Sequence, residues 1–419
     1  MPEALRTGSR PTRAMLVGGN FRGKGAEAMM LTTIGELRRR LPSLEFVLIA
    51  GPHDGPPGKR RAEAEALPLT LIDRADGSRT PRCLPRVLRG MVRRVANLKQ
   101  FRNVAADCDA IIDIRGYSLP PGGAGAFGDY LRAVIASRAR ACRIILPQAM
   151  GPVDGRVSRS LAARSLRLAA SVSARDRVTR DFVKALGLSV PGLCPDIAFL
   201  FPAAPAERAH EILDEVGVGA QPFLAMTPNM RVYERSAVED GVNAYVAALA
   251  RIARDAARTF GAKVLMIPHE SAGPGAGDST VIDEVTAHLG NGGAVHRLHD
   301  AFSAAEVKAV IGRAELVVGS RYHSLIAALS MRVPCVPISW SHKYDMLMQD
   351  VGLDGCTFRM DDLNYDALFD KVSEVWERRH AIARDLDAGV GAFELQVARL
   401  FDDVAQLIAP AASSRGEGR

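Results

Sequence analysis

The stretch 315–330, ELVVGSRYHSLIAALS, places Ser320, Arg321, Tyr322 and His323 between a β-branched apolar run and a helix-forming segment. Where a parallel strand ends, the next helix offers unpaired N–H groups and the positive end of its dipole, which suits a phosphate or carboxylate. Arg321 would clamp such an anion through two parallel donors, and His323 would carry a proton near neutral pH. With Tyr322 between them, an extended backbone would turn Arg321 and His323 to the same side. The bland alternative is a satisfied histidine packed over the strand end. The crowding of Arg, Tyr and His within three residues favours chemistry.

Further candidates follow other apolar runs. PNMRVYER offers Arg231 and Arg235, IPHE offers His269 and Glu270, and SWSHKYD offers Lys343. A lone histidine such as His269 is more often a hydrogen-bonded loop residue than a catalyst, and the spacing is not HExxH, so no metal is indicated. SARDRVT presents Arg175 and Asp176. Asp176 fits a helix N-cap, whereas Arg175 at the strand end is expected to face a ligand. VGGNFRGKGAEAMM matches neither GxGxxG nor GxxxxGK[ST], so no nucleotide cofactor follows from it. It reads equally as a glycine turn or as a substrate-lining loop with Asn20 and Glu27. The six cysteines lack CxxC spacing, and neither zinc nor a disulfide framework is indicated.

Positioning these residues needs strand ends gathered in space. Short apolar strands alternate with longer helical patterns throughout the chain, the signature of parallel sheets covered by helices on both faces. Strands are predicted at AMLVG, FVLIA, AIIDI, RIILP and SVSA in the first half, and at FLAMT, KVLMI, ELVVG and CVPIS in the second. A length of 419 residues exceeds what one core supports. The Pro/Ala-rich break near LFPAAPAERAHEILDEVG divides the chain into domains 1–203 and 204–408, with a disordered tail at 409–419. The fold class is α/β, two doubly wound, Rossmann-like domains facing a central cleft lined by the loaded loops.

The net charge is +7 and the pI about 9.2, but the basic residues are scattered and aromatics make up only 5%. Nucleic acid is a weak reading; a small anionic substrate or an anionic membrane surface fits better. PRVLRGMVRRVANLKQFR sets Val87, Leu88, Met91, Val92, Val95 and Leu98 on one helical stripe, with Arg89, Arg93, Arg94 and Lys99 largely off it. Such a helix either lies on an anionic bilayer or is a basic surface helix packed on its own domain. The N-terminus lacks a secretory apolar region, and no run reaches the ~20 apolar residues of a membrane span. The expected location is cytoplasmic, with a peripheral position at the inner face of the plasma membrane.

In their order, GGNFRGKGAEAMMLTTI, QAMGPV, SARDRVT, PDIAFLF and GSRYHSLIAALSMRVPCVPISWSHKYDML resemble the polysaccharide pyruvyl transferases over most of residues 14–355. The resemblance implies a fold similar to GT-B glycosyltransferases and transfer of a pyruvyl unit from phosphoenolpyruvate to a sugar as a ketal, without a further cofactor. It implies donor binding in the C-terminal domain and a glycan or lipid-linked oligosaccharide acceptor in the N-terminal one. The family's RxH motif falls on Arg321 and His323, and its SxRD motif on Arg175 and Asp176. The expected site is therefore His323 as acid and base, with Arg321, Arg175, Arg231, Asn20, Ser320, His269 and Lys343 binding substrates and no metal. The rivals are a GT-B glycosyltransferase with a nucleotide-sugar donor, which would need an acidic residue such as Glu306 or Glu315 for the ribose, and a catalytically silent glycan-binding protein.

Overall fold

Arg13–Val17 (β1) and Glu45–Ala50 (β2) pair in parallel across helix α1 (Lys24–Arg40), the first of a series of right-handed crossovers. The computed structural model describes residues 11–51, 67–74, 86–120, 122–123, 125–189, 192–239, 241–270, 277–290, 295–362 and 364–413. They fall into two units. Unit one comprises 1–21, 29–197 and 396–419, and unit two comprises 22–28 and 198–395. A single cut at 203/204 therefore misses two exchanges: 22–28 cluster with the second unit, and the end of the last helix clusters with the first.

In unit one, β3 (Leu69–Asp73), β4 (Ala110–Asp113), β5 (Tyr117–Ser118), β6 (Cys142–Met150) and β7 (Ser171–Ala174) join β1 and β2. The sheet order is β3-β2-β1-β4-β6-β5, with β7 pairing β6, and every pairing is parallel. Helices α2 (Arg86–Ala106), α3 (Ala126–Arg138), α4 (Arg156–Arg167) and α5 (Arg177–Ala185) connect the strands. Gly18, at φ +101°, lies against the Cα and Cγ of Arg115, so a side chain there would be both strained and blocked. Arg115 in turn holds Asp113 (2.6 Å) and Asp129 (3.0 Å), which closes the loop after β4.

In unit two, α6 (Ala206–Glu215), β8 (Phe223–Thr227), α7 (Met230–Tyr233), a small β9–β10 ribbon (Val238–Glu239, Val242–Asn243) and α8 (Ala244–Phe260) come first. They are followed by β11 (Lys263–Met266), α9 (Asp278–Leu289), β12 (Val295–Arg297), α10 (Ala304–Ile311) and β13 (Leu316–Gly319). Then come α11 (Tyr322–Ser330), β14 (Cys335–Ser339), α12 (Lys343–Asp350), β15 (Phe358–Arg359) and α13 (Tyr365–Ser413). The main sheet runs β12-β11-β8-β13-β14-β15, again all parallel. The predicted strands are present. Those not predicted are β3, β12 and β15, sheet edges where exposure on one side removes the continuous apolar run, and the two-residue β5, β9 and β10, too short to show a pattern. The tail expected to be disordered from 409 is helical to Ser413, because α13 simply continues through its Ala-rich end; 414–419 lie outside the described residues.

Two expectations for the end of β7 are resolved in opposite ways. Asp176 is the N-cap of α5, its Oδ1 accepting from Thr179 N at 2.7 Å. Arg175 is not a ligand-facing residue. It is buried, and its Nη1 donates to Asp196 at 2.8 Å, the two side chains being 4% and 0% exposed. A guanidinium at that depth is tolerated only against an opposite charge. Arg175→Ala strands the Asp196 carboxylate and is expected to cost about 3–5 kcal/mol of stability. A denaturant titration checks this, and a stability loss below about 1 kcal/mol would return Arg175 to the ligand-binding candidates.

Candidate functional site

Strands β11, β8, β13 and β14 are consecutive neighbours in the unit-two sheet and run parallel, so the loops that follow them gather residues distant in sequence. Asp278, the first residue of α9 and fully buried, ties three of these loops together. Its Oδ1 accepts from Met230 N after β8 (3.2 Å) and from both Nε (3.0 Å) and Nη2 of Arg321 after β13. Its Oδ2 accepts from the backbone N–H groups of His269 (3.1 Å) and Glu270 (2.9 Å) after β11. Arg321 Nη1 also donates to Glu270 Oε2 at 2.6 Å.

The guanidinium expected to be an open anion clamp is thus engaged by two carboxylates and only 13% exposed. Burying Asp278 demands a cation beside it, and Arg321 is that cation. Burial acts to raise the Glu270 carboxyl, but Arg321 outweighs it and holds the group below the usual range. Ser320 is likewise committed to structure. Its Oγ accepts from Tyr245 Oη (2.7 Å), and its carbonyl accepts from Asn229 Nδ2 (2.7 Å) and Tyr344 Oη (2.8 Å). It is buried, and these bonds leave it locked in the packing rather than facing a substrate.

His323 does not alternate with Arg321 along an extended chain. Arg321 is the N-cap of α11, and Tyr322 and His323 occupy its first turn, about 100° apart around the helix. Helix formation wins because the run SLIAALS favours it and packs fully inside. The Tyr322 ring meets those of His323 and Tyr344 edge-on, both at 5.7 Å.

The first loop joins this site. Lys24 N donates to His269 O (3.0 Å), Gly23 bridges to Glu270, and Arg22 approaches Glu270 at 3.4 Å. Glu27, fully buried, accepts from Ala304 N at 2.7 Å and so caps α10. Gly25 rests directly on His323: a Cβ there would stand 2.7 Å from His323 Cβ and closer still to its ring. This segment, assigned from sequence to the acceptor half, therefore frames the histidine of unit two.

Lys24, Lys308, His269 and His323 line one cavity of about 20 Å³, room for a water-sized group. Lys24 and Lys308 donate to the carbonyls of Phe302 and Phe201. Burial brings the Lys308 ammonium down to about 8. Burial first, then the positive neighbours His323, Arg321 and Lys24, push His269 well below the ordinary histidine value, so its imidazole is neutral at physiological pH.

A cationic patch stands on other residues of the same strand ends. Arg231 and Arg235, both exposed and one helical turn apart, stand 5.7 and 5.4 Å from the centroid of the Trp340 ring. Lys343 Nζ is 4.9 Å from the rings of both Trp340 and Tyr322. Among the described residues no carboxylate lies within ion-pair distance of Arg231 or Arg235. Such cation–aromatic contacts leave guanidinium N–H groups available to an anion.

Unit two thus brings together His323, Arg321, Arg231, His269, Ser320 and Lys343, while Asn20, half-buried after β1, and Arg175 belong to unit one. Sequence reasoning missed Asp278, Lys24, Lys308 and Trp340. Lys308 left a signal, as the lone basic residue in the apolar helix AAEVKAVI. Asp278 left only a Gly-Asp-Ser helix start, which says nothing of an arginine 43 positions away.

The profile of polysaccharide pyruvyl transferases matches residues 24–342, which takes in the site from Lys24 to Trp340 and leaves Arg22, Gly23 and Lys343 just outside. The chain belongs to the polysaccharide pyruvyl transferase family. It is accordingly a transferase, and its two-sheet α/β architecture is the GT-B fold. Among solved structures it is similar to the UDP-GlcNAc 2-epimerase of Methanocaldococcus jannaschii, at 11% identity and a TM-score of 0.57, with 86% of this chain and 92% of that one covered. A UDP-glucosyltransferase from Polygonum tinctorium gives 13%, 0.57, and 96% and 100%. MurG of Acinetobacter baumannii gives 12%, 0.50, and 96% and 100%. At such identities the likeness is one of fold alone.

In this pyruvyl transferase, Gly25→Ala should displace the His323 ring. Turnover is expected to fall about tenfold or more and the melting temperature to drop as well, since the new methyl meets His323 Cβ and not only its ring, so the start of α11 must shift; unchanged turnover would show that its placement is not critical. The buried neutral His269 also sets a pH dependence. Below about pH 6.5 the unfolded chain binds a proton that folded His269 refuses, so stability is full above that pH and is lost as pH falls. His269→Gln should flatten this acid limb in melting curves recorded from pH 7.5 downward.

Proposed function

We propose that this enzyme transfers the pyruvyl unit of phosphoenolpyruvate to two hydroxyls of one sugar in a cell-surface polysaccharide or its lipid-linked precursor, forming a pyruvate ketal. The observation that carries the proposal is the Arg231–Arg235 patch after β8, with Lys343 after β14, flanking the helix after β13 whose first turn carries His323. A three-carbon acid bearing both a phosphate and a carboxylate needs cations with free donors. Those of Arg321 are taken by Asp278 and Glu270. Arg231 and Arg235, exposed and without a carboxylate at ion-pair distance among the described residues, are therefore assigned to the donor anions with Lys343 beside them, and Arg321 to holding the strand-end loops in place.

His323 acts as acid and base. A proton passes to the methylene carbon of phosphoenolpyruvate, and a sugar hydroxyl, giving up its own proton, attacks the adjacent carbon. Cleavage of the bond from that carbon to the phosphate oxygen releases inorganic phosphate. A second hydroxyl then closes the ketal. One imidazole, with a donor and an acceptor nitrogen, can serve both directions of proton movement, and the scheme calls on no nicotinamide, PLP or metal.

A nucleotide-sugar donor is disfavoured by the fate of the acidic residues that would read a ribose. Glu306 closes a capping box with Ser303 and accepts from Arg208 at 2.8 Å, and Glu315 accepts from Arg379 at 2.6 Å.

The test is phosphate release from phosphoenolpyruvate in the presence of a panel of glycosides, with donor affinity measured by calorimetry against UDP-sugars. His323→Ala and His323→Asn are expected to bind donor normally and turn over about 10²–10⁴ more slowly. Arg231→Lys should weaken donor binding by about 1.5–3 kcal/mol, because a point-charge ammonium does not replace a guanidinium fork. Tight UDP-sugar binding without any response to phosphoenolpyruvate would overturn the assignment.

A further inference from the structure

Among the described residues, most of the exposed large hydrophobic side chains lie in one stretch of unit one: Val92, Val95, Tyr117, Phe127, Val157 and Leu168. The topology gathers that stretch. The connections β3→β4, β4→β6 and β6→β7 all advance in the same direction across the sheet, so right-handed crossovers put α2, α3 and α4 on one face. Shared cores confirm the packing. Phe101 and Ala105 of α2 join Ala136 of α3, while Ala126 of α3 joins Ala162 and Leu166 of α4.

Helix α4, RVSRSLAARSLR, contains four arginines and no acidic residue. Arg156, Arg159, Arg164 and Arg167 are exposed, and among the described residues none has an ion-pair partner; Arg167 reaches only the Leu186 carbonyl. At about 100° per residue, Arg156, Val157, Arg164, Arg167 and Leu168 share roughly a third of the helix circumference. Val157 is 74% exposed and Leu168 37%. Helix α2 repeats the arrangement with exposed Val92 and Val95 beside Arg93 and Arg94. Its C-terminal half is packed through Phe101 and Ala105, so the stripe read from sequence is core at one end and surface at the other; Val87, Leu88, Arg89 and Met91 lie outside the described side chains. A purely solvated face would mix the two signs of charge and keep valines inside. Helix α4 is itself unmixed in charge, and it carries exposed apolar groups at both ends.

We propose that the α2–α3–α4 face of unit one docks on an anionic lipid bilayer, its arginines meeting lipid phosphates and Val157 and Leu168 entering the headgroup layer. No helix among the described residues is long and apolar enough to cross a membrane, so the contact is a surface one. It draws on residues outside the proposed transfer site and holds whether or not the acceptor is lipid-linked.

The full chain is sedimented with vesicles of phosphatidylcholine alone and of phosphatidylcholine mixed with phosphatidylglycerol. Binding is expected only to the mixed vesicles, falling as salt is raised. The triple variant Arg156→Glu, Arg164→Glu, Arg167→Glu should reduce the bound fraction at least about tenfold, and the corresponding Gln variant by a smaller factor, since each basic residue adds attraction. Both variants should keep the parent's circular dichroism and, with a water-soluble glycoside, its phosphate release. Equal binding to both vesicle types, unchanged binding by the charge-reversed variant, or capture by a soluble acidic polysaccharide or by a second copy of the chain in place of vesicles would overturn the proposal.

Discussion

The carboxylate of Asp278 is the constraint on which the rest of unit two depends. It is completely buried, and its two oxygens collect three backbone N–H groups and two donors of one guanidinium. Those donors come from three loops that follow different strands, so one carboxyl group fixes the relative heights of the β8, β11 and β13 loop ends. Removing the charge would leave Arg321 buried without its main partner, a far larger penalty than the net worth of the pair itself. The placement of His269 and of the start of α11 follows from this knot.

The second contributor is close approach. Gly25 lets the first turn of α1 sit on the His323 ring, and Gly319 lets Thr227 and Ser324 meet beneath the same strand end, where their hydroxyls lie 2.7 Å apart. Small residues at these two points bring the start of α1 onto the His323 ring and the end of β13 onto Thr227 and Ser324. Rigid support of that kind is what an acid–base group needs to meet a substrate in one orientation.

Much of the fold was legible in the sequence because central parallel strands are apolar on both sides and stand out as runs such as FLAMT and CVPIS. The edge strands VHR and LTLID face solvent on part of their surface and lose that contrast. The site was legible only as far as local pattern reaches. GSRYHS marks the strand end at which the candidate residues gather, with His323 and Lys343 half-buried and Arg231 exposed. Arg175, Ser320 and Arg321 carry the same local signal, yet their partners, Asp196, Tyr245 and Asp278, lie 21 to 75 residues away. Nothing in a linear pattern distinguishes an arginine that will meet a ligand from one that will meet a buried carboxylate. That difference is decided by tertiary pairing. The helical conformation of Tyr322 and His323 was missed for a related reason, since the apolar run after them outweighs the strand before them.

Trp340 gives the molecule an optical property. The chain has only two tryptophans. Trp376 is buried, stacked at 4.6 Å on Phe260 and covered by Arg379, whereas Trp340 is half-buried and ringed by Arg231, Arg235 and Lys343. An indole's emission shifts with the electric field across it, and an anion that neutralises those three cations reverses much of the field at Trp340 while leaving Trp376 untouched. The intrinsic fluorescence of the native chain is therefore a spectrum in two parts, one a fixed background and the other a label-free gauge of charge arriving at the strand ends.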